Sequence, residues 1–114
     1  MTIYDILKKE KLLIMTTNFD EFSTIMDLVI ADKNTQLGDS TYKQYKSGAL
    51  ELAINKYGIA TIEEYDNEDD PNRNGKILFD LVYFGVYENE INFETTMQLL
   101  KMEEGDFELW KKLH

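Results

Sequence analysis

The chain has no cysteine, one proline, one arginine and one histidine among its 114 residues. Without cysteine there can be no disulfide framework, thiol catalysis or zinc–thiolate site. The one histidine is His114, at a terminal position where chains fray, so we expect no histidine-assisted serine nucleophile. No apolar run approaches the roughly 20 residues of a membrane helix, and no export signal is visible. The expected location is therefore the cytoplasm, with no membrane partner.

Positive charge is also scarce, because 12 lysine and arginine residues face 22 aspartate and glutamate residues, for a formal charge of −10. A strongly acidic chain opposes direct binding to nucleic acid or to anionic lipid, since both need a cationic footprint. Hydrophobic residues make up 43% of the chain, which is enough to bury a core. We expect one domain over residues 1–114.

Half of the net charge falls in one short stretch. Residues 61–75 carry one arginine and six acids, for a net charge of −5. The candidate electrostatic contacts for a partner are these six acids: Glu63, Glu64, Asp66, Glu68, Asp69 and Asp70. Tyr65 and Tyr87 lie beside acids, and aromatic residues next to charge are typical of protein interfaces, so we predict that both contact the partner.

Helix signals recur along most of the chain. Capping residues predict helices that begin after Thr2, Asn18, Ser40 and Asn92. The helix that begins after Asn18 should end near Ala31. The helix that begins after Ser40 should end at Gly58, and a break is expected near Ser47 because Gly48 follows. We also predict that Gly105 stops the helix after Asn92 and that Asp106 caps a last helix.

The segments on either side of the acidic stretch are less clear. Thr61–Glu64 has the spacing of a capping box and predicts a short helix. Residues 77–87 form an apolar run whose length favours a helix, although its tyrosine, valine and phenylalanine content favours a strand. We therefore predict an all-α bundle of five to seven short helices. The alternative is an α+β fold with a hairpin that pairs residues 59–65 with residues 77–83.

Two chemical candidates are weak. Asp70, Asn72 and Asn74 match the first ligand positions of a calcium loop, but Leu81 stands where a bidentate glutamate should be, so an Asx-rich turn is favoured. Asp80 lies inside an apolar run and could be a buried general base, but a polar position on a helix is the simpler interpretation. We expect no catalysis, no metal and no cofactor.

These observations predict a binding protein. We expect a small acidic inhibitor that occludes a basic surface on a larger protein, such as the nucleic-acid-binding face of a nuclease, with carboxylates in place of phosphates. Phage-encoded anti-defence proteins of the anti-CRISPR kind and bacterial immunity proteins that neutralise toxins share this size and charge, which is an analogy of class alone. The alternatives are an immunity protein, or a self-associating structural or regulatory domain in which the charge serves solubility. The sequence leaves the oligomeric state open.

Overall fold

The computed structural model describes residues 1–66, 69–81 and 89–113, and it has an α+β fold. The all-α prediction is wrong, because the described residues contain a four-stranded mixed sheet. Its strands are β1 Leu13–Thr16, β2 Ala60–Glu64, β3 Ile77–Asp80 and β4 Glu90–Asn92. A π-helical segment, Asp5–Lys9, precedes β1. The α-helices are α1 Phe19–Ala31, α2 Asp39–Lys46, α3 Ala49–Tyr57, α4 Phe93–Leu99 and α5 Glu104–Leu113.

The strands lie in the order β3-β2-β1-β4. β2 pairs with β3 and with β1 in antiparallel fashion, whereas β4 pairs with β1 in parallel. Ile62 of β2 lies opposite Phe79 of β3 and also opposite Ile14 of β1. The alternative prediction of a hairpin between residues 59–65 and 77–83 is therefore confirmed for the residues that the structure describes.

The predictions of helix over Thr61–Glu64 and over residues 77–87 are wrong where the structure describes these segments. Both sequences tolerate either state locally, and the pairing of β2 with β3 decides between them, because each strand satisfies the other's backbone hydrogen bonds. Beyond Leu81, the predicted helix covers residues 82–87, which lie outside the described residues.

Local signals predicted the helices more accurately. The side chain of Asn18 accepts a hydrogen bond from the Glu21 N–H at 2.9 Å and caps α1, which ends at Ala31. Asn92 caps α4 in the same way, with the Thr95 N–H at 2.8 Å. Gly48 separates α2 from α3 at a φ of +82°, in the left-handed region that favours glycine.

The predicted stop at Gly105 is wrong. α4 already ends at Leu99, where a turn begins with hydrogen bonds from Lys101 N–H to the Gln98 carbonyl and from Met102 N–H to the Leu99 carbonyl. Gly105 is the second residue of α5, so Asp106 lies inside that helix and does not precede it. The backbone turn after α4 ended the helix without a glycine.

The main hydrophobic cluster lies on one face of the sheet, and Leu13 and Leu78 on the other face are also buried. Because strand side chains alternate, Ile14, Ile62 and Ile91 point to the first face, and each belongs to the main cluster. α1 contributes Phe22, Ile25 and other residues to the same cluster. The opposite face, which we call the outer face, carries these residues from the four strands: Leu13, Met15, Thr61, Glu63, Leu78, Asp80, Glu90 and Asn92.

Candidate protein-binding surface

The acidic stretch lies on the hairpin of β2 and β3, which we call the acidic hairpin together with the described residues between the strands. The ladder extends past the strands, because Tyr65 N–H donates to the Lys76 carbonyl at 2.8 Å and Gly75 N–H donates to the Tyr65 carbonyl at 3.0 Å. Gly75 has a φ of +77°, which allows the chain to turn back into β3. Glu63 and Glu64 therefore lie on β2, and Asp66, Asp69 and Asp70 lie on the described part of the connection to β3.

Glu63 and Asp80 form a like-charged pair on the outer face. Asp80 lies directly opposite Thr61, and Glu63 is the next residue along β2 on the same face. Such diagonal neighbours are about 7 to 8 Å apart. Burial raises the pKa of the half-buried Glu63, and the negative charge of Asp80 raises that pKa further. The outer face of the acidic hairpin therefore has a negative potential.

Asp80 itself is exposed on β3, so the weaker candidate, a buried acid, is wrong, and the favoured polar position lies on a strand and not on a helix. The buried-acid candidate came from the apolar sequence around Asp80. In a strand, however, alternate residues face opposite sides, and Asp80 falls on the outer face at the end of β3. A general-base role that depends on desolvation therefore has no basis here.

Other predicted contacts are already engaged within the chain. The Glu64 carboxylate forms an ion pair with the Lys11 ammonium, and the Glu64 side chain is only 12% exposed. Arg73 approaches the Asp70 carboxylate at 3.9 Å through Nε, and its guanidinium lies over the Tyr65 ring at 4.8 Å. Glu64 therefore belongs to the structure of the hairpin base, and Tyr65 and Asp70 share an internal cation.

The remaining predicted contacts differ in position. Asp66 and Asp69 are exposed on the stretch between the strands. Glu68 and Tyr87 lie outside the described residues. Together with Glu63, the exposed carboxylates Asp66 and Asp69 are the part of the predicted set that faces solvent while lying on one hairpin.

The calcium candidate lies in the turn before β3. Asn72 is exposed, Asn74 is half-buried, and the Asp70 carboxylate faces Arg73. Within residues 1–66, 69–81 and 89–113, no three carboxylate or imidazole groups converge as metal ligands would. The amide-containing set of Asp70, Asn72 and Asn74 remains a sequence-based prediction.

The structure also contains a groove that sequence reasoning missed. It lies beside β4, at the opposite edge of the sheet from β3, and has a volume of about 560 Å³. We call it the α5 groove, because its far wall is α5. Its lining residues come from three stretches of the chain, 10–15, 89–95 and 107–111: Glu10, Leu12, Met15, Asn89, Glu90, Ile91, Asn92, Thr95, Phe107, Trp110 and Lys111.

The α5 groove has an aromatic wall and a charged rim. The rings of Phe107 and Trp110 are stacked, with centroids 5.6 Å apart and an angle of 20° between the planes. The Lys111 ammonium lies 5.3 Å from the centre of the Phe107 ring and 3.1 Å from the Glu10 carboxylate. The i, i+3 spacing of Phe107 and Trp110 was visible in the sequence, but nothing in it indicated that Glu10 and Glu90 would lie near them.

A smaller cavity of about 310 Å³ adjoins the groove, and Glu10 and Phe107 line both. Its other charged lining residues are Asp5, Lys9, Glu104 and Glu108. The ion pair between Glu10 and Lys111 therefore lies between the cavity and the α5 groove.

Among the described residues, no helix is both long enough and apolar enough to cross a membrane.

Comparison with known proteins adds no family. No family model, no curated protein and no solved structure matches this chain.

Proposed function

We propose that this protein binds a basic surface of a larger protein and occludes it, with the acidic hairpin as the electrostatic contact. The observation that carries the proposal is the outer face of the hairpin, where Glu63 and Asp80 stand as like charges on neighbouring strands. Holding like charges together costs stability, and a cationic partner would relieve that cost.

The composition of the hairpin supports the same function. Its described residues include six carboxylates, whereas Arg73 and Lys76 are its only described cations. Asp66 and Asp69 extend the negative surface beyond the strands. A basic partner that normally holds nucleic acid would meet carboxylates where it otherwise meets phosphates, and like charge would repel a competing polynucleotide. We place this interaction in the cytoplasm as part of the proposal.

The test compares two variants of equal charge. The hairpin variant carries Glu63→Gln, Asp66→Asn and Asp69→Asn, and the control variant carries three neutralisations on exposed helical positions, Asp20→Asn, Glu51→Gln and Glu94→Gln. Proteins captured from a host-cell extract by the wild type are identified by mass spectrometry, and their association rates are then measured at several salt concentrations.

We expect the hairpin variant to associate about tenfold more slowly and with a weaker dependence on salt, because exposed charges mainly steer encounter. The control variant should retain most of the wild-type rate. Equal rates and equal salt dependence for the two variants would contradict the proposal. A captured nuclease that then loses its nucleic acid supports occlusion, whereas a captured toxin indicates immunity. Sedimentation of the free protein as a stable homodimer, with no captured partner, would favour self-association instead.

A further inference from the structure

The α5 groove is concave, and it is walled by aromatic rings and edged with carboxylates. Its volume of about 560 Å³ lies within the range of 300 to 1,000 Å³ that is typical of ligand sites. Phe107 is buried and fixes the position of the stacked Trp110 ring. The aromatic wall is therefore already formed in the free chain, and a site that is formed in advance loses less entropy on binding.

Charge along the groove favours a cationic occupant. The groove and the adjoining cavity are lined by five carboxylates, Asp5, Glu10, Glu90, Glu104 and Glu108, and by two lysines. Both lysines already bind carboxylates of this set, since Lys9 lies 3.4 Å from Asp5 and Lys111 lies 3.1 Å from Glu10. Five lining carboxylates therefore compare with two lysines and with the N-terminal ammonium of Met1, which also lines the cavity, so the formal charge of the lining is negative.

The chain itself places a cation against this wall. The Lys111 ammonium lies over the Phe107 ring and meets the Glu10 carboxylate, so it combines a cation–π contact with an ion pair. The Trp110 ring continues the same wall, and tryptophan is the aromatic residue that attracts cations most strongly. Glu90 lines the groove on the β4 side.

We infer that the α5 groove is an anchor site for an arginine side chain of the basic partner, an inference that rests on the proposed function. A guanidinium is planar, stacks on aromatic rings and binds a carboxylate through two parallel hydrogen bonds, so it suits a groove whose lining includes Trp110 and Glu90 better than an ammonium does. The amide of Asn89 and the hydroxyl of Thr95 add polar groups to the rim.

The anchor and the acidic hairpin are within reach of one partner. They lie at opposite edges of the sheet, and β3 and β4 are separated by three strand spacings, or about 14 Å. A protein interface of standard size covers about 800 Å² on each partner, which is wide enough for both. In this arrangement the hairpin steers encounter and the groove holds one side chain.

The test uses the intrinsic fluorescence of Trp110, the only tryptophan of the chain. The full-length protein is titrated with the capped tripeptide Gly-Arg-Gly, with the same peptide carrying the neutral isostere citrulline, and with the lysine form. We expect a saturable change with the arginine peptide at millimolar concentration, at least tenfold weaker binding of the citrulline peptide, and intermediate binding of the lysine peptide. Citrulline binding equal to that of arginine would overturn the inference.

Glu90→Gln is the groove variant, and Glu94→Gln is its control, because Glu94 is exposed on α4 and does not line the groove. We expect Glu90→Gln to lower the affinity for the arginine peptide about tenfold and Glu94→Gln to change that affinity less than twofold. A thermal melt shows that both variants are folded. Equal losses in the two variants would mean that the peptide senses only net charge, and the inference would fail.

The outcome is separable from that of the proposed function, because the peptide titration contains no partner. The hairpin variant should bind the arginine peptide as the wild type does. If the arginine peptide binds but partner capture does not depend on the hairpin, the groove remains a cation site and the hairpin is not the contact with the partner. A silent titration, together with hairpin-dependent capture, would refute the anchor alone.

Discussion

The acidic hairpin and the α5 groove lie at opposite edges of one sheet, and they differ in how their charges were assembled. The hairpin acids are neighbours in the sequence, and two of them, Glu64 and Asp70, are already compensated by Lys11 and Arg73. The groove takes its charges from segments that are far apart in the chain. A run of acids in the sequence therefore overestimates the number of carboxylates available to a partner, whereas a concave site built from distant segments has no signal in any one of them.

The largest expected effect tests whether Glu64 belongs to the fold or to the partner surface. Lys11→Met should destabilise the protein by about 1 to 2 kcal/mol, because it leaves the Glu64 carboxylate, which is 12% exposed, without its cation. The loss is small for a partly buried ion pair, because the Lys11 side chain is 54% exposed and solvent screens its charge. Chemical denaturation measures the loss.

The double variant Lys11→Met with Glu64→Gln should recover most of that loss, since no charge is then left buried. If Lys11→Met alone costs nothing, Glu64 is solvated, and it returns to the set of carboxylates that a partner could meet. Methionine leaves the backbone requirement unchanged, because Lys11 already has a φ of +54° and methionine adopts that conformation no more readily.

The next effect contrasts one glycine from each region. Gly75→Ala should cost about 1 kcal/mol, because Gly75 closes the hairpin turn at a φ of +77°. Gly105→Ala in α5 should instead stabilise by about 0.5 kcal/mol, since alanine is the better helix former and nothing lies within 4 Å of the added methyl group. Thermal unfolding of the two variants gives the signs. A loss in Gly105→Ala would show that the cavity beside the groove, which Gly105 lines, requires glycine there.

The smallest effect concerns the like charges of the hairpin. The pKa of Glu63 is raised above its ordinary value of 4.5 by burial and then by Asp80, so the folded protein retains this proton at a pH where the unfolded chain has lost it. The contribution of Glu63 to stability is therefore complete below pH 4.5 and decreases as the pH rises through the folded pKa.

Glu63→Gln removes this dependence, and the wild type should lose about 0.5 kcal/mol relative to the variant between about pH 4 and 7, a small value because Glu63 is half-exposed and screened. Urea denaturation across this range measures the difference, and Glu51→Gln on α3 serves as the exposed control. A difference that grows in the opposite direction would place Glu63 beside a cation, which would remove the observation on which the proposed function depends.

Predictions from the sequence were correct where residues within one short segment determine the local structure. The caps at Asn18 and Asn92 and the break at Gly48 follow from hydrogen bonds and backbone angles within a few residues. Sequence reasoning failed on Thr61–Glu64, because a segment whose sequence has the spacing of a capping box can also form a strand. It favoured a polar position for Asp80 but assigned that position to a helix, because an apolar run does not distinguish a buried helix from a buried strand.

Residue identity and local backbone chemistry alone account for the starts of α1 and α4, for the large negative charge and for its concentration in residues 61–75, whereas the predicted caps Ser40 and Asp106 lie inside α2 and α5. Tertiary packing was needed to pair β2 with β3, to bring Lys11 to Glu64, and to place Glu10, Glu90 and Trp110 around one groove. Those contacts join residues far apart in the chain, and their free energy comes from burial and pairing that no single segment can supply.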